Sequence, residues 1–201
     1  MNRIELRLPL LLLISLLVAL SACAPPPPPQ ALAEARKESP PTEAKIQNAM
    51  SAAPRSIAQA ATILDWPTAA GGDLIELRKG TNGWTCLPDD PNTPTNDPMC
   101  LDPMWKVWLH AFMTGTTPHS TATGIAYMLQ GGSDASNTDP AATQPPAGQD
   151  WLISPPHLMI LSPQQLDPAV FSTDPHSGGP WIMWAGTPYE HLMVPVKDGS
   201  E

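Results

Sequence analysis

The chain has 201 residues and a formal net charge of −9, from 10 basic and 19 acidic side chains. Nucleic-acid binding needs a basic footprint. Because no Lys/Arg cluster occurs beyond residue 45, the composition argues against a nucleic-acid partner. The 27 prolines and 13 glycines predict long loops and few helices.

The first 22 residues have the layout of a secretory signal peptide. Arg3 and Arg7 precede an apolar stretch from Leu8 to Leu20. This stretch is shorter than the roughly 20 apolar residues that a membrane-spanning helix requires. The sequence therefore predicts export from the cytoplasm, with residues 1–22 removed.

The stretch ends in Leu20-Ser21-Ala22-Cys23, which resembles the lipobox of bacterial lipoproteins. The resemblance implies that the Cys23 thiol receives a diacylglycerol, that the leader is cleaved before Cys23, and that the new amino group is acylated with a fatty acid such as palmitate. Two or more acyl chains hold a protein stably on a membrane. In that family an aspartate after the cysteine marks retention at the inner membrane, so Ala24 implies the outer membrane, facing the periplasm.

Five consecutive prolines, Pro25 to Pro29, follow the lipidation site. Such a run favours polyproline II, which rises about 3.1 Å per residue and forms a stiff spacer. We therefore interpret residues 23–45 as a lipidated, proline-rich tether. Residues 46–201 have the usual length of a single globular domain.

Cys86 and Cys100 are the cysteines that remain once Cys23 carries lipid. Two leftover cysteines in an oxidising compartment are expected to form a disulfide. Their wide spacing is unlike the Cys-x-x-Cys motif of redox-active pairs. The predicted role is structural.

Short elements are predicted in the first half of the domain. They are a helix over 46–53 and strands over 60–66, 73–79 and 84–87. Asn82-Gly83 is typical of a tight hairpin turn, so the last two of these strands are predicted to pair.

The clearest element is a helix over about 102–114. Asp102 is a good N-cap, Pro103 a good first residue and Gly115 a good C-terminal stop. Its apolar side chains recur at helical spacing and form one face. They are Met104, Trp105, Trp108, Leu109, Phe112 and Met113.

The second half is predicted to contain short strands separated by proline- and glycine-rich loops. The strands are 124–130, 151–153, 157–161, 181–185 and 191–196, with one or two helical turns over 163–170. Together these patterns predict an α+β fold with a mostly antiparallel sheet, one main amphipathic helix and long Pro/Gly-rich loops.

Three phrases in the body of the chain are GTNGWTC, YMLQGGSDASNTDP and SGGPWIMW. They resemble a group of short exported bacterial proteins that is known only as uncharacterised. The resemblance runs from about Ile46 to Lys197 and implies no activity, ligand or site residue.

One local repeat contains side chains that are able to bind a metal ion. His157 and Met159, like His191 and Met193, stand two residues apart in His-Leu-Met, so each pair shares one face of a strand. If the two strands are neighbours, two imidazoles and two thioethers converge, a donor set that favours Cu(I). The alternative is core packing, in which methionine is an ordinary filler.

Two loops rich in Asp, Asn and Ser offer oxygen ligands for calcium or, alternatively, ordinary turns. They contain Asp134, Ser136, Asn137 and Asp139 in one case, and Asp89, Asp90, Asn92, Asn96 and Asp97 in the other.

A hydrolase is a further alternative, with His176, Ser177 and Glu190 as its candidate residues, although no known catalytic motif occurs.

Tryptophans supply seven of the eleven aromatic side chains. The spacing of Trp105, Trp108, Trp181 and Trp184 suits a core. Trp66, Trp84 and Trp151 stand near turns, where exposed indoles bind sugars or peptides.

The sequence favours a non-catalytic binding or structural role, with an envelope glycan or protein as partner and no cofactor. Copper binding and hydrolysis are the alternatives.

Overall fold

The computed structural model describes residues 41–69 and 71–196. The predicted signal peptide, Cys23 and residues 24–40 of the predicted tether lie outside these ranges. The helices are α1 (Pro41–Met50), α2 (Arg55–Ala58) and α3 (Pro103–Thr114). The strands are β1 (Thr62–Asp65), β2 (Ile75–Arg78), β3 (Thr85–Leu87), β4 (Met99–Leu101), β5 (Gly124–Met128), β6 (Gly132–Asp134), β7 (Leu152–Ser154), β8 (His157–Leu161), β9 (Trp181–Met183) and β10 (His191–Pro195).

Eight of these strands form one sheet in the order β2-β1-β3-β4-β5-β8-β10-β9. All neighbours are antiparallel except β1 and β3, which are parallel. β6 and β7 form a separate two-stranded sheet. The fold is therefore α+β with a mostly antiparallel sheet, as the sequence predicts.

The main helix α3 begins and ends where its capping residues predict. The Asp102 carboxylate accepts a hydrogen bond from the Trp105 backbone N–H at 2.9 Å, and its other oxygen accepts one from the Ile125 N–H. Gly115 has φ 65°, the left-handed conformation that ends helices. Since Asp102 also bonds to β5, the N-cap fixes α3 against the sheet.

The predicted hairpin at Asn82-Gly83 is wrong. β2 pairs with β1, and β3 lies parallel to β1 on its other side. The Asn82 side chain accepts a hydrogen bond from the Trp84 N–H and donates one to the Ile57 carbonyl. The Asn-Gly turn therefore carries the chain past β1 instead of folding β3 back on β2.

Other segments also differ from the sequence prediction, among them strand β4 and helix α2, which the sequence does not predict. Helix α1 begins at Pro41, five residues before Ile46, and its Lys45 contacts Asp65 of β1 at 2.6 Å. Residues 163–170 form no regular helix, but the Val170 and Phe171 N–H groups donate to the Asp167 carbonyl and close one helical turn, within the one or two that the sequence predicts. The predicted loop over 131–150 contributes β6, which has only three residues and a Gly-Ser-Asp sequence without alternating apolar residues.

Two apolar clusters cover opposite faces of the sheet. One lies under α1 and contains small residues such as Ala49 and Ala52, together with both disulfide cysteines. The other lies under α3 and contains Trp105, Trp108 and most of the buried methionines. No helix among the described residues is long and apolar enough to cross a membrane.

The disulfide between Cys86 and Cys100 is confirmed, and it joins directly paired residues of β3 and β4. Replacing both cysteines by alanine is expected to lower the free energy of unfolding by about 3 kcal/mol, because the unfolded chain is freed from a closed loop. Urea denaturation of the two proteins measures this difference. An unchanged midpoint would show that the bond contributes nothing.

Candidate ligand-binding pocket

A pocket of about 720 Å³ lies on the α3 side of the sheet. Its walls come from α3, from β4, β5, β8, β9 and β10, and from the segment around β6. Six of the nine methionines line it: Met99, Met113, Met128, Met159, Met183 and Met193. Five of the seven tryptophans also line it: Trp66, Trp105, Trp108, Trp151 and Trp184.

His157 and His191 lie in this pocket wall, 1% and 2% exposed. The Nδ1 atom of His157 is 2.6 Å from the Pro155 carbonyl oxygen, and that of His191 is 3.0 Å from the Tyr189 carbonyl oxygen. Since a carbonyl only accepts, each Nδ1 carries the proton and donates it. Each Nε2 therefore carries a lone pair, and neither has a hydrogen-bond partner among the described residues.

Burial also controls the protonation of both imidazoles. Loss of solvent lowers the pKa of His157 to about 4, against a smaller raising effect of its bond to Pro155. Burial lowers the pKa of His191 to about 4 as well, and repulsion from His157 adds to this. Both imidazoles are therefore neutral at pH 7, with Nε2 available as an acceptor or metal ligand.

The His-Leu-Met strands β8 and β10 are neighbours, as the repeat suggested. Met159 and Met193 are direct register partners. His157, however, pairs with Pro195, four residues along β10 from His191. This offset is about 13 Å at the usual rise of a strand. Met159 and Met193 are therefore partners at the centre of the two strands, and the backbone positions of His157 and His191 lie on opposite sides of this pair.

Aromatic rings surround His191. The indoles of Trp105, Trp108 and Trp184 have their centroids 5.1, 5.7 and 5.3 Å from its ring, each nearly perpendicular to it. The indole Nε1 of Trp108 is buried and has no hydrogen-bond partner in the described part of the chain. Residues that line the pocket therefore contain one buried donor and two buried imidazole acceptors without a partner in the described part of the chain.

Trp184 adopts an unusual backbone conformation, with φ 55°. This left-handed conformation is unfavourable for a bulky residue and persists only where the surroundings enforce it. The Trp184 N–H donates to Asn137 O and its Nε1–H donates to Ser136 O, at 2.9 and 2.8 Å. These bonds hold the Trp184 ring parallel to the Trp108 ring, with an angle of 2° between them.

Two carboxyl groups that line the pocket have raised pKa values. Burial raises the pKa of Asp134 to about 7, and repulsion from Asp97 adds to the shift. Burial also raises the pKa of Asp97 to about 6, although a hydrogen bond from Thr93 opposes this. Asp134 keeps part of its surface accessible and lines the pocket. At pH 7 it is therefore partly protonated and able to donate a hydrogen bond.

Replacing Asp134 by asparagine is expected to stabilise the protein increasingly as the pH rises. Between pH 4 and 7 the unfolded state loses the Asp134 proton while the folded state keeps it, so stability falls with rising pH. Allowing for the solvent that reaches the carboxyl, this loss is about 2 kcal/mol. Urea denaturation at pH 4 and pH 8 measures the difference between the variant and the original protein.

Asp97 is present in both proteins, and because it repels Asp134, the difference contains the Asp134 titration together with its interaction with Asp97. A difference between the two proteins that does not change with pH would contradict the raised pKa.

The side-chain oxygens of the two Asp- and Asn-rich loops mostly accept hydrogen bonds from groups within the protein. Asp90 Oδ1 accepts from the Asn92 N–H, and Asp139 Oδ1 accepts from the Ala141 N–H, as in ordinary turns. Asn137 is held between Trp181 and Thr173. These contacts explain the loop compositions without a calcium ion.

The candidate hydrolase residues are not brought together in a cleft. His176 and Ser177 lie in an exposed turn and line neither of the two cavities described for the chain. Both carboxylate oxygens of Glu190 accept backbone hydrogen bonds, from Leu166 and Gly186. This geometry gives no support to a catalytic role for the three residues.

The tryptophans lie as predicted. Trp105, Trp108, Trp181 and Trp184 are buried, whereas Trp66, Trp84 and Trp151 are partly exposed. Trp66 and Trp151 line the pocket.

Within residues 41–69 and 71–196, no group of three or more His, Cys, Asp and Glu side chains is placed to hold a metal ion. The sequence motif omits Met128 and Met183, which face His157 and His191 from neighbouring strands. Neither methionine has a local sequence signal, since its position opposite a histidine depends on the order of the strands.

No family model, curated protein or solved structure matches the chain.

Proposed function

We propose that this protein is a lipid-anchored, non-catalytic binding protein of the bacterial cell envelope whose ligand occupies the pocket beneath α3. The observation that carries the binding role is the pocket wall itself. It is largely apolar and contains three buried polar atoms without partners: His157 Nε2, His191 Nε2 and Trp108 Nε1. Apolar pockets with a few polar groups are the usual form of small-molecule sites.

The wall defines the chemistry of an organic ligand. A volume of about 720 Å³ accommodates a drug-sized molecule. Methionine and indole side chains suit a largely apolar or aromatic body, and methionine adapts its shape to the occupant. A hydrogen-bond donor on the ligand satisfies an imidazole Nε2, and an acceptor satisfies Trp108. An envelope glycan or protein partner would instead contact the partly exposed Trp66, Trp84 and Trp151.

N-phenyl-1-naphthylamine, a neutral apolar dye, tests the pocket in the mature full-length protein in detergent solution. Its fluorescence is expected to rise on binding. Ala142 lines the pocket, so Ala142→Phe is expected to weaken binding at least tenfold. Ala169 is exposed and outside the pocket, so Ala169→Phe is the matched control. Equal binding by the two variants, or no binding by the original protein, would count against the pocket.

The anchor is supported by the leader and the cysteine at position 23. Cells grown with radiolabelled palmitate are expected to label the protein and to retain it in the outer-membrane fraction. Cys23→Ala is expected to remove the label. An original protein that is unlabelled and washes out with the soluble envelope fraction would overturn the anchor.

A second candidate function is the handling of copper in the periplasm. The direct pairing of Met159 with Met193, beside imidazoles whose Nε2 atoms are unpartnered, favours it. Soft thioethers and imidazole together prefer Cu(I). Titration with Cu(I) under mild reduction, monitored by methionine methyl NMR, tests this function. Unchanged Met159 and Met193 signals would exclude it.

A further inference from the structure

Strands β5, β8, β10 and β9 have a local two-fold symmetry. Met159 and Met193 are register partners in antiparallel strands, so a two-fold axis normal to the sheet passes between them. Rotation about this axis exchanges β8 with β10 and β5 with β9, because the four strands are consecutive and antiparallel. His157 is thereby exchanged with His191.

The same rotation exchanges two further methionines. Met128 on β5 is the register partner of His157, and Met183 on β9 is the register partner of His191. Each histidine therefore has one methionine directly opposite it on the neighbouring strand. A second methionine lies two residues further along its own strand. Directly opposite residues have Cβ atoms about 5 Å apart, and residues i and i+2 of one strand lie about 7 Å apart on the same face. Side chains as long as those of histidine and methionine span both distances.

These six side chains form two His-Met-Met triads: His157, Met128 and Met159 in one, and His191, Met183 and Met193 in the other. All six line the pocket and are at most 8% exposed. The offset of four residues along the strands places each imidazole beside a different pair of methionines, so each histidine belongs to its own triad.

We propose that each triad binds one soft monovalent metal ion, Cu(I) in the cell envelope, so that the pocket holds two ions. The inference rests on the proposed binding role of the pocket. Two thioethers and one imidazole are soft ligands of the kind that select Cu(I). The bond from each Nδ1–H to a backbone carbonyl orients the imidazole as metal-bound histidines are usually oriented.

Native mass spectrometry with Ag(I) counts the ions in the mature full-length protein in detergent. Silver is a soft monovalent probe that needs no reductant, so the disulfide stays intact. Two bound ions are expected. Met128→Leu and Met183→Leu are each expected to bind one, and the double variant none. Leucine keeps the volume of methionine, so the core is expected to tolerate these changes. Met104→Leu, outside the pocket, is the control and is expected to bind two.

An original protein that binds only one silver ion, which is lost in Met128→Leu and also in Met183→Leu, would replace the two triads by one shared site. Identical silver binding by Met104→Leu and the double variant would place the metal elsewhere and overturn the inference. Binding of the naphthylamine dye without any silver binding would leave the binding pocket standing and remove only the metal. Failure of both would remove the proposed function as well.

Discussion

Replacing Gly80 by alanine is expected to cost more than about 4 kcal/mol of unfolding free energy, beyond the range of most single substitutions. A Cβ atom at this position would overlap the backbone N of Thr62, C of Ala61 and O of Ala60. These atoms belong to β1 and the turn before it, and no rotamer change moves them away. The chain would have to separate at the point where Gly80 donates a hydrogen bond to Thr62 Oγ1.

Gly179→Ala is the matched control, because a Cβ there meets no atom within 4 Å. Its effect on stability is expected to stay within about 1 kcal/mol. Circular dichroism during urea denaturation compares the two variants with the original protein. Equal stability of the two variants would show that the backbone at Gly80 relaxes without difficulty.

The second large effect is expected at Trp105. This residue lies on the buried face of α3 and is 1% exposed. Its Nε1–H donates to the Met159 carbonyl oxygen at 3.1 Å. Trp105→Ala removes both the buried indole and this bond between helix and sheet, so a loss of about 3–5 kcal/mol is expected. The same change is expected to enlarge the pocket next to His191.

Val107→Ala on the same helix is the control, since Val107 is 53% exposed. A change of no more than about 0.5 kcal/mol is expected for it, as for most surface substitutions. Thermal denaturation of both variants gives the comparison. A Trp105→Ala protein as stable as Val107→Ala would mean that α3 is not held by its buried face.

Local chemistry predicts the main helix correctly because its signals act within a few residues. Asp102 and Gly115 bond to backbone groups close to them in sequence, and the apolar spacing of α3 needs only one partner surface. The disulfide is predictable for a different reason, since only two cysteines remain once Cys23 is assigned to lipid. Both features follow from short-range or counting arguments.

Strand order is where the sequence fails. The Asn82-Gly83 turn has the composition of a hairpin, yet β1 takes the place between β2 and β3. A turn fixes only the local direction of the chain, whereas pairing depends on which distant strand covers each apolar face. The sequence does not predict the composition of the pocket wall for the same reason, because strand pairing decides which residues line it. Met128 and Met183 belong to it through register with His157 and His191.

The centre of the sheet has a consequence for how the protein reaches its native state. β8 pairs with β5 on one side and with β10 on the other, and long loops separate these strands along the chain. Such non-local topologies fold in about milliseconds to seconds, slower than helical proteins with local contacts. Until β10 docks, the methionine- and tryptophan-rich strands are open to other chains. Assembly of this domain is therefore expected to be sensitive to crowding and to proteases at its site of folding.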